Sequence, residues 1–178
     1  LSARKSWFFF DDEVVCLGSA IHGISGRAVE TVVETRRLAA YGDNPLLVNG
    51  VAAPASPGLS RTVPSVAWAH LAGNTPGSDL GFFFPHPGDL TLTREMRSGA
   101  TADLNLPFGN TNQTASPYLS LTLPHGTNPT DGRYAYVLLP ATSPADVARY
   151  AARPGITVLE NSPRAQAVRK DSLGLLAI

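Results

Sequence analysis

Hydrophobic positions along the chain fall in short runs, and several of these runs alternate with polar positions at a period of two. The segment VETVVETRRL places Glu30 and Glu34 on one side of an extended chain and Thr31 and Val33 on the other. YLSLTLP repeats the alternation with leucine at every second position. Successive side chains of a β-strand point to opposite faces, so this pattern predicts strands with one buried face. RYAYVLLP is apolar on both faces near its end, which predicts a strand covered on both sides.

Glycine and proline separate these runs along the whole chain, with 16 glycines and 15 prolines among 178 residues. Short β-prone runs between turn residues are typical of an all-β sandwich. The predicted strands span residues 6–10, 14–19, 29–38, 46–48, 65–69, 80–84, 90–97, 118–123, 134–139, 156–160, 165–169 and 173–178. The predicted long loops span residues 49–64, 73–78 and 106–117.

One segment, TSPADVARYAARPG, has the pattern of a short helix. Ser143 suits the N-cap, Pro144 suits the first helical position, and Asp146 in the first turn complements the helix dipole. Val147 and Tyr150 are three residues apart and are expected to pack on a sheet. The Pro-Gly pair that follows ends the helix. The sequence therefore predicts an all-β fold, a large antiparallel β-sandwich segment with one short helix.

Charge and cysteine content exclude some kinds of partner. Fourteen Lys and Arg residues balance fourteen Asp and Glu residues, so neither a nucleic acid nor a membrane surface is expected as a partner. No apolar stretch approaches the roughly 20 residues that a membrane span requires. Cys16 is the single cysteine, so the chain forms no internal disulfide. Its apolar setting, VVCLG, predicts a packed thiol rather than a reactive one.

Three consecutive acids, Asp11, Asp12 and Glu13, interrupt the apolar stretch KSWFFFDDEVVCL. On a strand the middle carboxylate would point away from the other two, whereas at a turn all three could converge. Adjacent carboxylates repel one another unless water or a cation balances them, and Ca²⁺ prefers several oxygen ligands. The residues alone leave two interpretations open, a solvated turn and a metal site.

Other candidate chemistry is sparse. The four histidines lack the spacing of zinc ligands, and the sequence has no nucleophile elbow, phosphate-binding glycine loop or dinucleotide fingerprint. His125 lies at a turn between two predicted strands, where a turn hydrogen bond is the expected role. Trp7, Trp68 and the phenylalanine run at 82–84 would stack on sugar rings if exposed and belong to the core if buried. No catalytic residue is predicted in this chain, and no substrate-binding residue is assigned.

A series of segments along the chain resembles polysaccharide lyase family eight, which contains the hyaluronate, chondroitin AC and xanthan lyases. The resemblance begins with KSWFFFDDEVVCLGSAI and VETVVETRRL and continues in the same order through most of the sequence. The later segments are WAHLAG, DLGFFFP, TREMRSGATADLN, YLSLTLPHG, GRYAYVLLP and ITVLENSPRAQAVR. Their order along the chain is more specific than any one of them.

This resemblance implies that residues 1–178 are part of the central β-sandwich domain of a larger secreted lyase. It also implies that the N-terminal α/α toroid and the C-terminal β domain of such an enzyme lie outside residues 1–178. The family cleaves uronate-containing polysaccharides, here hyaluronan or chondroitin, by β-elimination, with asparagine, histidine, tyrosine and arginine of the toroid as the catalytic set. The expected role of this chain is therefore structural, as one side of the substrate cleft beside the remaining domains. A non-catalytic carbohydrate-binding sandwich is the alternative.

The resemblance also bears on the acid trio, because xanthan lyases of this family hold calcium at a matching set of acids. It implies a structural Ca²⁺ bound by Asp11, Asp12 and Glu13, with Glu160 or Asp171 as a further carboxylate. No cofactor is expected for catalysis.

Overall fold

The computed structural model describes residues 1–105 and 107–178, and over these residues the chain is mainly β-strand. The strands are β1 (Ser2–Phe9), β2 (Val14–His22), β3 (Ala28–Arg37), β4 (Leu46–Val48), β5 (Val51–Ala52), β6 (Ser60–Leu71), β7 (Leu80–Gly99), β8 (Thr114–Thr127), β9 (Gly132–Pro140), β10 (Ile156–Asn161), β11 (Gln166–Lys170) and β12 (Leu175–Ala177). The helix α1 spans Pro144–Ala152, and two 3-10 turns span Thr101–Asp103 and Asp171–Leu173. Among the described residues, no helix is long and apolar enough to cross a membrane.

The first nine strands form one antiparallel sheet that folds into two layers. One layer has the order β1-β2-β9-β7-β6-β4-β5, while β8 and β3 extend the other layer from the second half of β7. The bend of β7 lies at Pro85 and Pro87, and the register of β6 against β7 shifts between Val63 and Trp68. Ser65 in that shift has a φ of 53°. Prolines cannot donate ladder hydrogen bonds and bulges bend a strand, so both strands turn together at this point.

A hydrophobic core fills the space between the two layers. Phe82 and Phe84 of β7 point into it, whereas Phe83 between them points to the opposite face of the sheet. In β9, Tyr136 points into the same core and Val137 points away from it. This is the period-two alternation of a strand. The burial of β9 on both faces confirms the prediction made from RYAYVLLP.

A second core covers the outer face of β2, β7 and β9. The helix α1 packs there through the fully buried Val147, and the small sheet of β10, β11 and β12 packs beside it. Gly81 on β7 permits the close approach of the helix, since a Cβ at this position would lie 2.3 Å from Val147 Cγ2. The Ser143 hydroxyl accepts a 3.3 Å hydrogen bond from the backbone N–H of Asp146, so the predicted N-cap is confirmed.

Over the part of the chain that the structure describes, the all-β fold, the antiparallel pairing and the one short α-helix agree with the prediction. The separate strands predicted over residues 80–84 and 90–97 are wrong, because β7 continues through the prolines as one bent strand. The loop predicted over 49–64 contains β5 and the start of β6, and the last strand begins only after the second 3-10 turn. The loop predicted over 106–117 starts at Leu106, which lies outside the described residues, and its end from Thr114 belongs to β8.

Candidate functional site

The three acids lie at the turn between β1 and β2. The backbone N–H of Phe10 donates a 2.9 Å hydrogen bond to the carbonyl of Glu13 and closes this turn. Asp11 and Asp12 are exposed on it, whereas Glu13 points inward and only 1 % of its surface is accessible. The acids therefore form a turn rather than a continuous strand, with one carboxylate in the protein interior.

The ammonium of Lys170, at the end of β11, binds two of these carboxylates. Its Nζ donates a 2.7 Å hydrogen bond to Glu13 Oε1 and a 2.8 Å hydrogen bond to Asp12 Oδ1. The Lys170 side chain is 6 % exposed, that of Glu13 is fully buried, and that of Asp12 is 73 % exposed. Burial lowers the pKa of Lys170, but the hydrogen bonds to Asp12 and Glu13 outweigh it and leave that pKa raised.

Tyr150 of α1 closes the buried side of this cluster. Its hydroxyl lies near the Glu13 carboxylate, but among the described residues neither this hydroxyl nor Glu13 Oε2 has a hydrogen-bond partner of good geometry. Burial raises the pKa of Tyr150, and the negative charge of Glu13 raises it further. The ring packs edge-on against Phe83, with centroids 5.4 Å apart. Glu13 thus depends on Lys170 for its neutralisation.

This arrangement does not fit the calcium ion that the family resemblance implies. Among the described residues, no three carboxylate, histidine or cysteine side chains lie close enough together to hold a metal. The ammonium of Lys170 takes the position between Asp12 and Glu13 that a cation would need. Asp171 pairs instead with Arg169 at 2.6 Å, and Glu160 lines a different cleft. A calcium site at Asp11, Asp12 and Glu13 stays a prediction, and it would require Lys170 to move.

The cleft that Glu160 lines has a volume of about 540 Å³ and lies where β7, β8 and β9 meet β10. His125 lines it and shares a 2.8 Å hydrogen bond with the Thr31 hydroxyl of β3. The turn predicted at His125 is wrong, because β8 continues through this residue to Thr127. Burial, and then the positive charge of Lys5, lowers the pKa of His125. Burial also raises the pKa of Tyr134 to about 12, and the Arg133 guanidinium pairs with Asp131 at 2.7 Å. These groups hold the turn and the strand ends together.

The aromatic residues divide between core and surface. The phenylalanine run at 82–84 is buried and Trp68 is half-buried, so these rings belong to the core rather than to a sugar-stacking surface. Trp7 and Phe9, two residues apart on β1, are 54 % and 77 % exposed. Trp7 is therefore the predicted sugar-stacking ring that the structure leaves accessible.

The fold and these contacts define a β-sandwich domain whose buried ionisable groups hold turns and sheets together. A family model described as polysaccharide lyase family 8, super-sandwich domain, matches residues 1–151. The chain belongs to polysaccharide lyase family 8. The matched region ends inside α1, so the small sheet of β10, β11 and β12 lies beyond it.

The chain is 44 % identical over 178 residues to a xanthan lyase of Bacillus sp. (strain GL1), covering 99 % of this chain and 19 % of that protein. It is 38 % identical over 177 residues to a hyaluronate lyase of Thermasporomyces composti, covering 99 % of this chain and 22 % of that protein. A solved structure of Paenibacillus xanthan lyase superimposes with a TM-score of 0.95 at 46 % identity, covering 98 % of this chain and 17 % of that one. The chain thus spans about a fifth of the length of these relatives.

Proposed function

We propose that this chain is a segment of a secreted polysaccharide lyase that cleaves hyaluronan or a related uronate-containing glycosaminoglycan by β-elimination. The observation that supports this proposal is the match to named lyases over 99 % of the chain. Its role is structural, as one side of the substrate cleft beside the remaining domains of the enzyme. Without the catalytic asparagine, histidine, tyrosine and arginine expected in the toroid, the chain alone is inactive. An extracellular location suits an enzyme whose substrate is a long polymer.

The structural role is supported by what the buried charges do. Glu13 and Lys170 pair with each other, and the buried Arg94 binds backbone carbonyls of a loop. Buried charges held by fixed partners favour one particular geometry of the elements that carry them. These groups therefore maintain the shape of the domain.

Xanthan is the second candidate substrate. The identity of 44 % to a xanthan lyase exceeds the 38 % to a hyaluronate lyase, and the superposition on a xanthan lyase structure has a TM-score of 0.95. The expected catalytic residues lie outside this chain. These similarities therefore support the kinship of the domain more than they support xanthan as the substrate.

A segment exchange tests the structural role. The matching segment of the Thermasporomyces composti hyaluronate lyase is replaced by this chain, and the ultraviolet absorbance of the unsaturated product is followed on hyaluronan, chondroitin and xanthan. We expect the hybrid to cleave hyaluronan within about tenfold of the parent rate, and this chain alone to form no product. The control is the parent enzyme with the segment deleted, which should be inactive.

Two results would contradict the proposal. Product formed by this chain alone would show that it carries its own catalytic residues. A hybrid that is folded by circular dichroism and binds hyaluronan but does not cleave it would show that the exchanged segment contributes to catalysis. A gain of activity on xanthan would instead assign substrate choice to this segment.

The non-catalytic carbohydrate-binding sandwich is tested at the exposed ring of Trp7. Stacking on a sugar contributes to affinity only if the ring is accessible, and Trp7 is 54 % exposed. If this alternative holds, the chain binds hyaluronan or xanthan by itself and W7A weakens that binding at least tenfold. A buried ring such as Phe83 cannot serve as the control, because its removal would disturb the core. F108A, which removes an exposed aromatic ring from the loop before β8 instead of from β1, serves as the control. No measurable binding by the chain removes the alternative.

A further inference from the structure

We propose that the ammonium of Lys170 is the resident cation of the acidic turn in this chain. It takes the place of a divalent metal and makes the attachment of this turn to the small sheet independent of calcium. The three residues that carry the proposal are Asp12, Glu13 and Lys170, which are brought together from opposite ends of the sequence.

The first step is geometric. Lys170 Nζ lies 2.8 Å from Asp12 Oδ1 and 2.7 Å from Glu13 Oε1, so one ammonium joins two adjacent carboxylates. Calcium binds oxygen at about 2.3–2.6 Å. A calcium ion on the same two oxygens would stand within a few ångströms of the ammonium and would be repelled by it. The two cations are therefore alternatives at this position.

The second step concerns charge balance. Glu13 is buried and needs a counter-charge in the interior, and the single positive charge of the 6 %-exposed Lys170 supplies it. Asp12, with 73 % of its side chain exposed, and the exposed Asp11 retain contact with water. One ammonium thus balances the single buried negative charge through Glu13 Oε1, while Glu13 Oε2 has no hydrogen-bond partner among the described residues, and the remaining negative charge is solvated.

The third step is the place of Lys170 in the fold. It ends β11, in the small sheet that follows the matched super-sandwich region, whereas the acidic turn joins β1 to β2. A second contact joins the same two sheets: the hydroxyl of Ser19 on β2 donates a 2.9 Å hydrogen bond to the carbonyl of Ser162, just after β10. The charged contact therefore attaches one end of the small sheet to the large one, in the way a structural metal would.

The test measures thermal unfolding of the protein in excess chelator and in excess Ca²⁺. We expect the two midpoints to agree within about 1 °C. K170E removes the ammonium and adds a carboxylate. Its midpoint should fall by about 10 °C in chelator, because Glu13 loses its partner, and should recover in part when Ca²⁺ is added. R169E is the matched control. It makes the same charge change at an exposed neighbour on the same strand, and Ca²⁺ should not affect it.

Two results would overturn the proposal. The first is a rise of several degrees in the unaltered protein on adding Ca²⁺ that D11A abolishes, since this would establish a bound calcium beside Lys170. The second is a folded K170E variant whose midpoint does not respond to Ca²⁺.

If K170E does not fold, K170M is compared with the double variant E13Q/K170M. Removal of both charges should recover much of the stability that K170M loses, and a double variant no more stable than K170M would contradict the pairing.

Discussion

The buried guanidinium of Arg94 donates a 2.6 Å hydrogen bond to the backbone carbonyl of Asn44. A second 2.6 Å hydrogen bond, from its other terminal nitrogen, reaches the carbonyl of Gly42. Arg94 lies on β7, and the two carbonyls belong to the loop between β3 and β4. One side chain therefore attaches this loop to the sheet and satisfies two backbone acceptors at once.

Replacement of Arg94 by methionine, which preserves much of the apolar length, should destabilise the protein by about 3 kcal/mol. The reason is that two carbonyls lose charged hydrogen-bond donors. Urea unfolding measures this change in free energy. R61M, at an exposed arginine of β6, should change it by less than about 0.5 kcal/mol. An R94M variant as stable as the unaltered protein would mean that water replaces the guanidinium without cost.

The contact between Gly81 and Val147 should be sensitive to a single methyl group. A Cβ at position 81 would lie 2.3 Å from Val147 Cγ2 and 3.2 Å from Leu139 Cβ, so G81A forces α1 away from β7. We expect a loss of about 1–3 kcal/mol in the free energy of unfolding. G88A is the matched control, because a Cβ there meets its nearest atom only at 3.9 Å.

A double-mutant cycle with V147A separates this clash from other effects of G81A. V147A alone should cost about 2 kcal/mol through the cavity it leaves. The added methyl at position 81 occupies part of that cavity, so the double variant should lose less than the sum of the two single losses, by at least about 0.5 kcal/mol. Strict additivity would show that the cost of G81A arises elsewhere.

His125 should make stability depend on pH below neutrality. Burial and the charge of Lys5 lower its pKa in the folded protein below the ordinary value of 6.5, so protonation favours the unfolded chain. Its contribution to stability is complete above pH 6.5 and is lost progressively as the pH falls from there towards the folded-state pKa. The slope contributed by one proton is at most about 1.4 kcal/mol per pH unit.

We expect H125Q to reduce this slope, since glutamine can still hydrogen-bond Thr31 but does not titrate. Denaturant unfolding between pH 7 and pH 5 measures it. H22Q, at an exposed histidine, is the control and should leave the slope unchanged. An unchanged slope in H125Q would assign the acid sensitivity to the carboxylates of other ion pairs.

Cys16 should be unreactive in the folded protein. It is 1 % exposed, and burial raises the pKa of its thiol to about 11, partly offset by a hydrogen bond with Tyr136. Because the thiolate is the reactive form, a rise of this size from 9.0 leaves about a hundredfold less of it at neutral pH. Reaction with a chromogenic disulfide at pH 7.5 should therefore be at least a hundredfold slower in buffer than in 8 M urea. Equal rates in the two solutions would show that the thiol is accessible in the native state.

Local pattern was sufficient for much of the secondary structure. The cap residue Ser143 and the spacing of Val147 and Tyr150 predicted α1, because capping and helical periodicity act within a few residues. The continuous apolar run in RYAYVLLP predicted the two-faced burial of β9, since this pattern too is read from neighbouring residues. The apolar setting of Cys16 predicted its burial, and the ordered segments of the sequence identified the family that the domain match confirms.

The sequence by itself thus determined the helix, most of the strands, the all-β class and the family of this protein. The tertiary structure decided which distant residues meet. The sequence around Glu13 does not predict that Lys170, 157 residues away, provides its counter-charge. The proline-containing stretch of β7 likewise does not predict that one strand joins the two layers. Periodicity reports which face of an element is buried, whereas the partner on that face is selected by the packing of the whole chain. That selection places an ammonium beside the acid trio for which a metal was predicted.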